Sequence, residues 1–379
     1  MRHVALVTTS YPDDCPGAEA AGSFVEDFAR ELARHVRVTV VAAGSATSVT
    51  ASDGFEVRRF GVPKLPLSTL KPGSPSDWPA IFSSLRSGQR AVSQLFDDKR
   101  PDHLFALWAL PAGYWAQQCG RRHGIPFSTW ALGSDIWTLG KVPVVRRVLR
   151  SVLRNSERRY ADGLQLAEDV TALCGMPCEF MASTRRLPSS GSGPRQRTGG
   201  RTFAFLGRWH RNKGIDLLLD ALDMLGDEDW AKIDAVRIFG GGPYRGTVHQ
   251  RAGILAGLGR PVSVGGFLDK PAAAALIESV DFLLLPSRIE SIPVIFSDAM
   301  QLRTPIVSTP VGDLPRLFDK YRVGVLASSV DPDAFAEAIR RALAEDIRSF
   351  DESVSRASQD FDLTGIVDRF VENLWVPAS

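Results

Sequence analysis

The chain has 379 residues, 44% hydrophobic and 23% charged, with a formal net charge of +2. That length exceeds one ordinary core and suits two domains, and the near-neutral balance argues against a nucleic-acid footprint, which needs a concentrated basic excess. Four cysteines, Cys15, Cys119, Cys174 and Cys178, do not make a disulfide framework, and Cys174 with Cys178 lacks the second Cys or His pair that a zinc site requires.

The N-terminus enters a strand-like segment, Val4 to Thr8, without the apolar core of a secretion signal, and no run reaches the ~20 apolar residues that span a bilayer. A cytoplasmic location is expected. A loop then ends at Gly22 and Ser23, and Ser23 to His35 has helical apolar spacing. Strand, loop, helix is an arrangement that holds a phosphate or sugar at a helix N-terminus, and it is also an ordinary connection. Val36 to Ala42 is the next strand, after which Pro63, Pro66, Pro72, Pro75 and Pro79 mark an irregular connection.

Leu104 to Trp108 and Phe127 to Trp130 read as further strands. The ring of Trp108 suits the apolar face of a sugar or the core. After the second strand comes Ala131-Leu132-Gly133-Ser134-Asp135, where Asp135 reads either as a contact for a sugar hydroxyl or as an N-cap for the segment from Ile136. From Lys141 to Tyr160, Arg147, Arg150, Arg154 and Arg158 recur at helical spacing opposite Val145, Val148, Leu149, Val152 and Leu153. Such a basic amphipathic helix rests on anionic lipid headgroups or is simply solvated.

Residues 183–200 carry no periodic pattern and read as a linker between domains at 1–182 and 201–362. Beyond it, Phe203 to Leu206 delivers Gly207 and Arg208, and Lys213 opens a helix marked by Ile215, Leu218, Leu219 and Leu222. Two cations beside the unpaired N–H groups of a helix start make a diphosphate site. His210 reads as a neighbour of that phosphate or as a loop cap. Val236 to Phe239 leads into Gly240-Gly241-Gly242-Pro243, and Pro261 to Val264 leads into Gly266-Phe267-Leu268, whose backbone is expected at the nucleotide base. Phe282 to Leu285 is a buried-type strand that places Glu290 at a sheet's carboxyl end, where α/β sheets bind ligands. Asp298 lies eight positions on, so a helical segment beginning near Pro293 would let both acids face one cleft. Ile306 to Ser308 is a last strand, and Ile366, Val367, Phe370, Val371 and Leu374 have helical spacing. Strands and helices alternate in both halves, which gives two doubly wound α/β domains.

In Gly207-Arg208 with Lys213-Gly214, Gly240 to Pro243, and Glu290-Ser291-Ile292-Pro293 with Asp298, the chain resembles the donor domain of retaining glycosyltransferases of family four. Several pieces in register over more than a hundred residues are far more specific than any one. Val311-Gly312-Asp313-Leu314-Pro315 resembles the segment that follows the family's acidic motif, and Leu107 to Gly113 also resembles a family segment. Departures are Ser291 for Gly, Asp298 for the second Glu, Asp313 for Gly, and Leu132 where many relatives carry the histidine near the reacting sugar.

The resemblance implies a GT-B fold, two Rossmann-like doubly wound α/β domains facing a cleft that closes to exclude water, with a C-terminal helix, 363–379, packed back on the first domain. It implies sugar transfer with retention from a nucleotide diphosphate sugar, of hexosyltransferase type, to a hydroxyl of a glycan or lipid-linked acceptor. In that reading Arg208 and Lys213 neutralise the departing diphosphate, Glu290 holds sugar hydroxyls, Asp298 the ribose, and the backbone of Ser291, Ile292, Pro293 and Val294 the sugar or phosphates. Gly207, Gly241, Gly242, Phe267 and Leu268 complete the donor side, and Gly22, Ser23, Trp108 and Asp135 the acceptor side. No cofactor and no metal is expected, since no paired-aspartate metal motif ends a suitable strand. Of the two readings of the basic helix, the lipid one would set Arg147, Arg150, Arg154 and Arg158 against the inner membrane face, and the other leaves them solvated. The alternatives are a nucleotide-sugar epimerase, a sugar-phosphate synthase on the same architecture, and a non-catalytic sugar-binding paralogue.

Overall fold

The computed structural model describes residues 1–12, 22–65, 67, 70, 73–188 and 199–376. Cys15, Pro66, Pro72, and residues 189–198 of the expected linker lie outside the described residues. The chain forms two compact units: Met1–Arg185 with Leu363–Ser379, and Arg186–Asp362.

Unit 1 alternates β1 (His3–Thr8), α1 (Ser23–Leu32), β2 (Arg37–Gly44), β3 (Ser48–Ser52), β4 (Phe55–Gly61), α2 (Trp78–Asp98), β5 (His103–Leu107), α3 (Ala112–His123), β6 (Phe127–Ala131), α4 (Ser134–Trp137), α5 (Pro143–Asn155), β7 (Arg159–Ala161), α6 (Leu164–Cys174) and β8 (Glu179–Phe180). Among the described residues its sheet has eight strands in the order β3-β4-β2-β1-β5-β6-β7-β8, parallel except for the β3–β4 hairpin. The hairpin was not expected from the sequence. Its signal was there in Asp53-Gly54: Gly54 has φ 85°, as a tight Asp-Gly hairpin turn requires.

Alternate residues of β5 face opposite layers, as strand geometry dictates. Leu104 and Ala106 pack with Trp115, Val92, Leu95, Val152 and Leu153 of α2, α3 and α5. Phe105 faces the other way, stacking on Trp130 and meeting Tyr160 edge-on. That second layer is closed by α15 (Leu363–Leu374), whose Phe370 ring lies 4.5 Å from Phe105 and 5.4 Å from Phe28 between ring centroids. Thr364 Oγ1 donates to Glu31 (3.1 Å), and His35 lies 3.3 Å from Asp368, so α15 is tied to α1 at several points.

The basic helix differs from the expected one. α5 ends at Asn155, so Arg158 lies outside it. Arg158 donates to Asn373 O (2.9 Å) and Val376 O (3.1 Å) and pairs with Glu179, and Arg154 Nε donates to Cys174 O (2.9 Å). Helical spacing alone does not reveal that two of the four guanidiniums fasten the chain to itself. Arg147 and Arg150 remain exposed.

Unit 2 comprises β9 (Arg201–Arg208), α7 (Ile215–Asp223), α8 (Asp227–Trp230), β10 (Ile233–Gly241), α9 (Arg245–Gly257), β11 (Val262–Gly265), α10 (Lys270–Ser279), β12 (Phe282–Leu285), α11 (Val294–Gln301), β13 (Ile306–Ser308), α12 (Leu314–Tyr321), β14 (Gly324–Leu326), α13 (Pro332–Ala344) and α14 (Asp351–Asp360). Its parallel sheet runs β11-β10-β9-β12-β13-β14. The buried run Phe282–Leu285 is a central strand, with Phe282 opposite Phe203 and Leu283 between Ala204 and Ile306.

Candidate functional site

In unit 2 the first strand, β9, has the second strand, β10, on one side and the fourth, β12, on the other. Connections leave β9 and β12 in opposite directions there, which opens a crevice at their carboxyl ends. Register brings the first two motif pieces together: Gly207 pairs with Gly240 and Arg208 with Gly241. Arg208 is exposed at the tip of β9 and makes no ion pair or side-chain hydrogen bond among the described residues. Phe267 is 72% exposed and its ring lies over Gly241, where a Cβ would come within 2.7 Å of it. Leu268 beside it is half-buried, and Gly242 is exposed.

Across the crevice, the loop after β9 and the loop after β12 are fastened to each other. Gly214 has φ 69°, and a Cβ on it would collide with the carbonyl oxygen of Pro286, so only glycine permits this approach. Arg288 donates its backbone N–H to Asn212 O (2.8 Å) and its guanidinium to Arg211 O (3.0 Å) and Asp216 (2.6 Å). Neither Arg288 nor Asp216 was expected from the sequence, because their pairing spans 72 residues with no local pattern. His210 Nδ1 accepts from Asn212 N (3.2 Å), so of its two readings the loop cap is the one observed.

The clamp brings Lys213 against Glu290. Lys213 ends a short turn of 3₁₀ helix rather than opening α7, and its Nζ is ion-paired with Glu290 Oε1. Side-chain exposure of 35% for Lys213 and 18% for Glu290 leaves both within reach of solvent. A partly exposed pair is worth about 1 kcal/mol or less, so an incoming diphosphate can take the ammonium from the carboxylate at small cost.

α11 begins at Val294 behind Pro293, with Ile292 and Pro293 buried. Gly312, at φ 54°, packs so closely on Glu290 and Ser291 that a Cβ would strike both carbonyl oxygens, and Asp313 N donates to Ser291 O (3.2 Å). Two of the departures, Ser291 and Asp313, therefore touch each other. The Ser291 hydroxyl is buried and has no hydrogen-bond partner among the described residues. Asp298 departs from expectation. It sits in the middle of α11 with 0% exposure, so only Glu290 of the two acids presents a carboxylate to solvent. Aspartate is one methylene shorter than the glutamate of the pattern, and here its carboxylate ends inside the packing around the helix.

Unit 1 has the same kind of crevice between β1 and β5. Gly22 precedes Ser23, the first residue of α1, and both are partly exposed. Trp108 follows β5 with φ 70°, a conformation that costs a bulky residue about 1–3 kcal/mol, and its half-buried ring stands 6.3 Å from that of Phe24. Asp135 does not serve as expected. It is 1% exposed and accepts backbone N–H groups of Ala109 (2.6 Å), Leu132 (3.3 Å) and Ile136 (3.2 Å), bracing the loop after β5 against the loop after β6. Burial pushes its pKa up to about 6, against the opposing pull of those hydrogen bonds. At that burial the carboxylate presents no open face to a ligand. Among the described residues no group of three or more His, Cys, Asp or Glu is placed to hold a metal ion, and no helix is long and apolar enough to cross a membrane.

Two parallel-sheet Rossmann-like units with carboxyl-end crevices define the GT-B class. A family model described as glycosyl transferases group 1 matches residues 200–345, and one described as a glycosyl transferase 4-like domain matches residues 19–179. The chain belongs to the group 1 glycosyltransferases. TuaC of Bacillus subtilis (strain 168), assigned as a teichuronic acid biosynthesis glycosyltransferase, is 27% identical over 265 residues, 66% of this chain and 63% of that protein. D-inositol 3-phosphate glycosyltransferase of Corynebacterium jeikeium (strain K411) is 29% identical over 150 residues, 38% of this chain. The chain thus spans 63% of the first relative's length and 36% of the second's. Among solved structures, sucrose-phosphate synthase from Thermosynechococcus elongatus has a TM-score of 0.72 at 15% identity, covering 99% of this chain and 98% of that one. HepE of Anabaena in complex with UDP has a TM-score of 0.69 at 15% identity, covering 99% of each chain. At such identity the likeness is one of fold.

Proposed function

We propose that the protein transfers a hexosyl unit, with retention, from a nucleoside diphosphate sugar to a hydroxyl of a glycan or lipid-linked acceptor. The observation that carries this reading is the convergence of Arg208, Lys213 and Glu290 on one crevice at the switch point of unit 2. Arg208 and Lys213 take the diphosphate, and the backbone N–H groups before α11 add fixed positive dipole where charge develops on the leaving phosphate. Glu290, released from Lys213, accepts hydrogen bonds from the sugar. The incoming acceptor hydroxyl passes its proton to the leaving phosphate on the same face, so no protein base and no metal is assigned a step. Asp298 is given no ligand contact. The complex of the fold neighbour HepE with UDP favours uridine as the base.

Leu132 favours a second reading, binding without turnover, because leucine supplies no hydrogen bond where many relatives have histidine. Both are tested by thermal shift with UDP, GDP and ADP followed by incubation of UDP-sugars with membrane extract. A bound nucleotide raises the melting temperature in proportion to its affinity. Labelled sugar appearing in glycan or lipid supports transfer; isomerised donor or a free sugar phosphate product replaces it with an epimerase or synthase; a shift without product leaves a binding protein. No shift with any nucleotide overturns the donor site itself.

A further inference from the structure

The two cations of the unit 2 crevice hang on different supports. Lys213 belongs to the part of the loop after β9 that Gly214 and Arg288 fasten to the loop after β12. Arg208 has no such clamp, and its exposed side chain makes no ion pair or side-chain hydrogen bond among the described residues. What fixes it is the backbone on either side. Before it, register sets Gly207 beside Gly240, and Arg208 itself lies beside Gly241. After it comes Trp209, 1% exposed, whose N–H donates to Gly241 O (2.8 Å) and whose carbonyl accepts from Tyr244 N (3.2 Å) at the start of α9.

Trp209 is also fitted to the glycine turn. A Cβ on Gly242 would come within 2.7 Å of Trp209 O, and one on Gly240 would strike Gly207 O and stand 3.1 Å from Trp209 Nε1. The indole thus lies against the turn, and it meets the His249 ring of α9 edge to face, at 5.6 Å between centroids and 81° between planes. Its Nε1–H is buried with no acceptor among the described residues. A buried donor without an acceptor is a loss that phenylalanine or leucine would not incur, so core stability alone does not account for a tryptophan here. The size of the indole does. It reaches from α9 to the turn, and a smaller side chain would leave a gap into which the tip of β9 could settle. A guanidinium on a long flexible stem meets a phosphate only as accurately as its backbone is held, and a displacement of about 1 Å is enough to cost much of such a contact.

We infer that Trp209 is a positioning residue, the anchor that sets where Arg208 meets the diphosphate, with no contact of its own to the ligand. The inference rests on the proposed donor site. Its test is isothermal titration of the full chain with whichever of UDP, GDP and ADP binds the parent most tightly. The proteins titrated are the parent, Trp209→Leu, Trp209→Phe, Arg208→Ala, Lys213→Ala, and each Trp209 variant combined with each of the last two. Trp209→Leu is expected to weaken the nucleotide by about tenfold alone and by about tenfold again beside Lys213→Ala, but by less than about twofold beside Arg208→Ala, where the group it positions is gone. Trp209→Phe, which keeps a ring of smaller reach, should lose about threefold in the same pattern. It carries the test if the leucine variant does not melt cooperatively. A merely structural tryptophan would not tell the two cations apart, because a general loosening of unit 2 weakens the nucleotide alike in both backgrounds. Equal losses in all three backgrounds, or no loss in any, overturn the inference and leave the donor site standing. If none of the three nucleotides binds the parent, or Arg208→Ala leaves affinity unchanged, the donor site falls and the inference with it.

Discussion

The two crevices of this protein share a strand order and differ in which way their acids point. In unit 2, Glu290 and Lys213 pair at the rim with solvent access to both; in unit 1, Asp135 is wholly enclosed by backbone N–H groups. The loop after β12 is clamped to the loop after β9 through Arg288 and Gly214, and its carboxylate keeps solvent access. The carboxylate of the loop after β6 instead accepts the Ala109 N–H of the loop after β5 and becomes the brace. An acid at the carboxyl end of a strand thus keeps solvent access or becomes structural according to whether a neighbouring loop supplies donors first.

The contrast can be broken most forcefully at the rim. Arg208→Ala or Lys213→Ala is expected to cost about 10²–10³-fold in the rate of sugar transfer, the size of losing one preorganised donor to developing charge. An unaltered rate would move the diphosphate elsewhere. Glu290→Gln separates binding from turnover. It frees Lys213, so UDP affinity holds or rises, while transfer falls by about 10²-fold; isothermal titration and product formation read the two independently. A parallel loss of UDP affinity would show that the carboxylate organises the phosphate site instead.

The brace in unit 1 is sharpened by pH. Asp135 has a folded pKa of about 6 against an ordinary 3.8. Its protonated form therefore stabilises the fold fully below the ordinary value, and that contribution drains away as pH rises through 6. The shift corresponds to at most about 3 kcal/mol. Asp135→Asn should remove this slope, so the difference in melting temperature between parent and variant changes between pH 4 and 7 and is flat above. A difference independent of pH means that Asp135 ionises as it would in water. The smallest effect belongs to Asp298→Asn, expected to leave UDP affinity within about threefold since the carboxylate is enclosed. A loss of more than tenfold would put Asp298 back on the nucleotide.

The sequence was most legible where one physical requirement dominates. Phe282–Leu285 and Ile306–Ser308 are strands at the expected bounds, because continuous apolar runs ended by proline or polar residues leave little choice. The donor motifs were found by residue type and spacing, and the sheet order then set Gly207 beside Gly240. Orientation was not legible. Nothing in the spacing of Asp135, Asp298, Arg154 or Arg158 says whether a charged group points to solvent or to a distant carbonyl, and Lys213 meets Glu290 across 77 residues. The β3–β4 hairpin was missed for another reason: β3 is short and largely exposed, with no buried alternation to mark it.

The return of α15 also bears on the order in which the chain folds during synthesis. Unit 2 is an insertion with both ends in unit 1, and all of it precedes Phe370. The rings of Phe28, Phe105 and Tyr160 are in place early but stay uncovered on one side until Phe370 arrives. Since domains form as units while the ribosome proceeds, the second half of this protein can finish folding before the first half has received the last piece of its own interior.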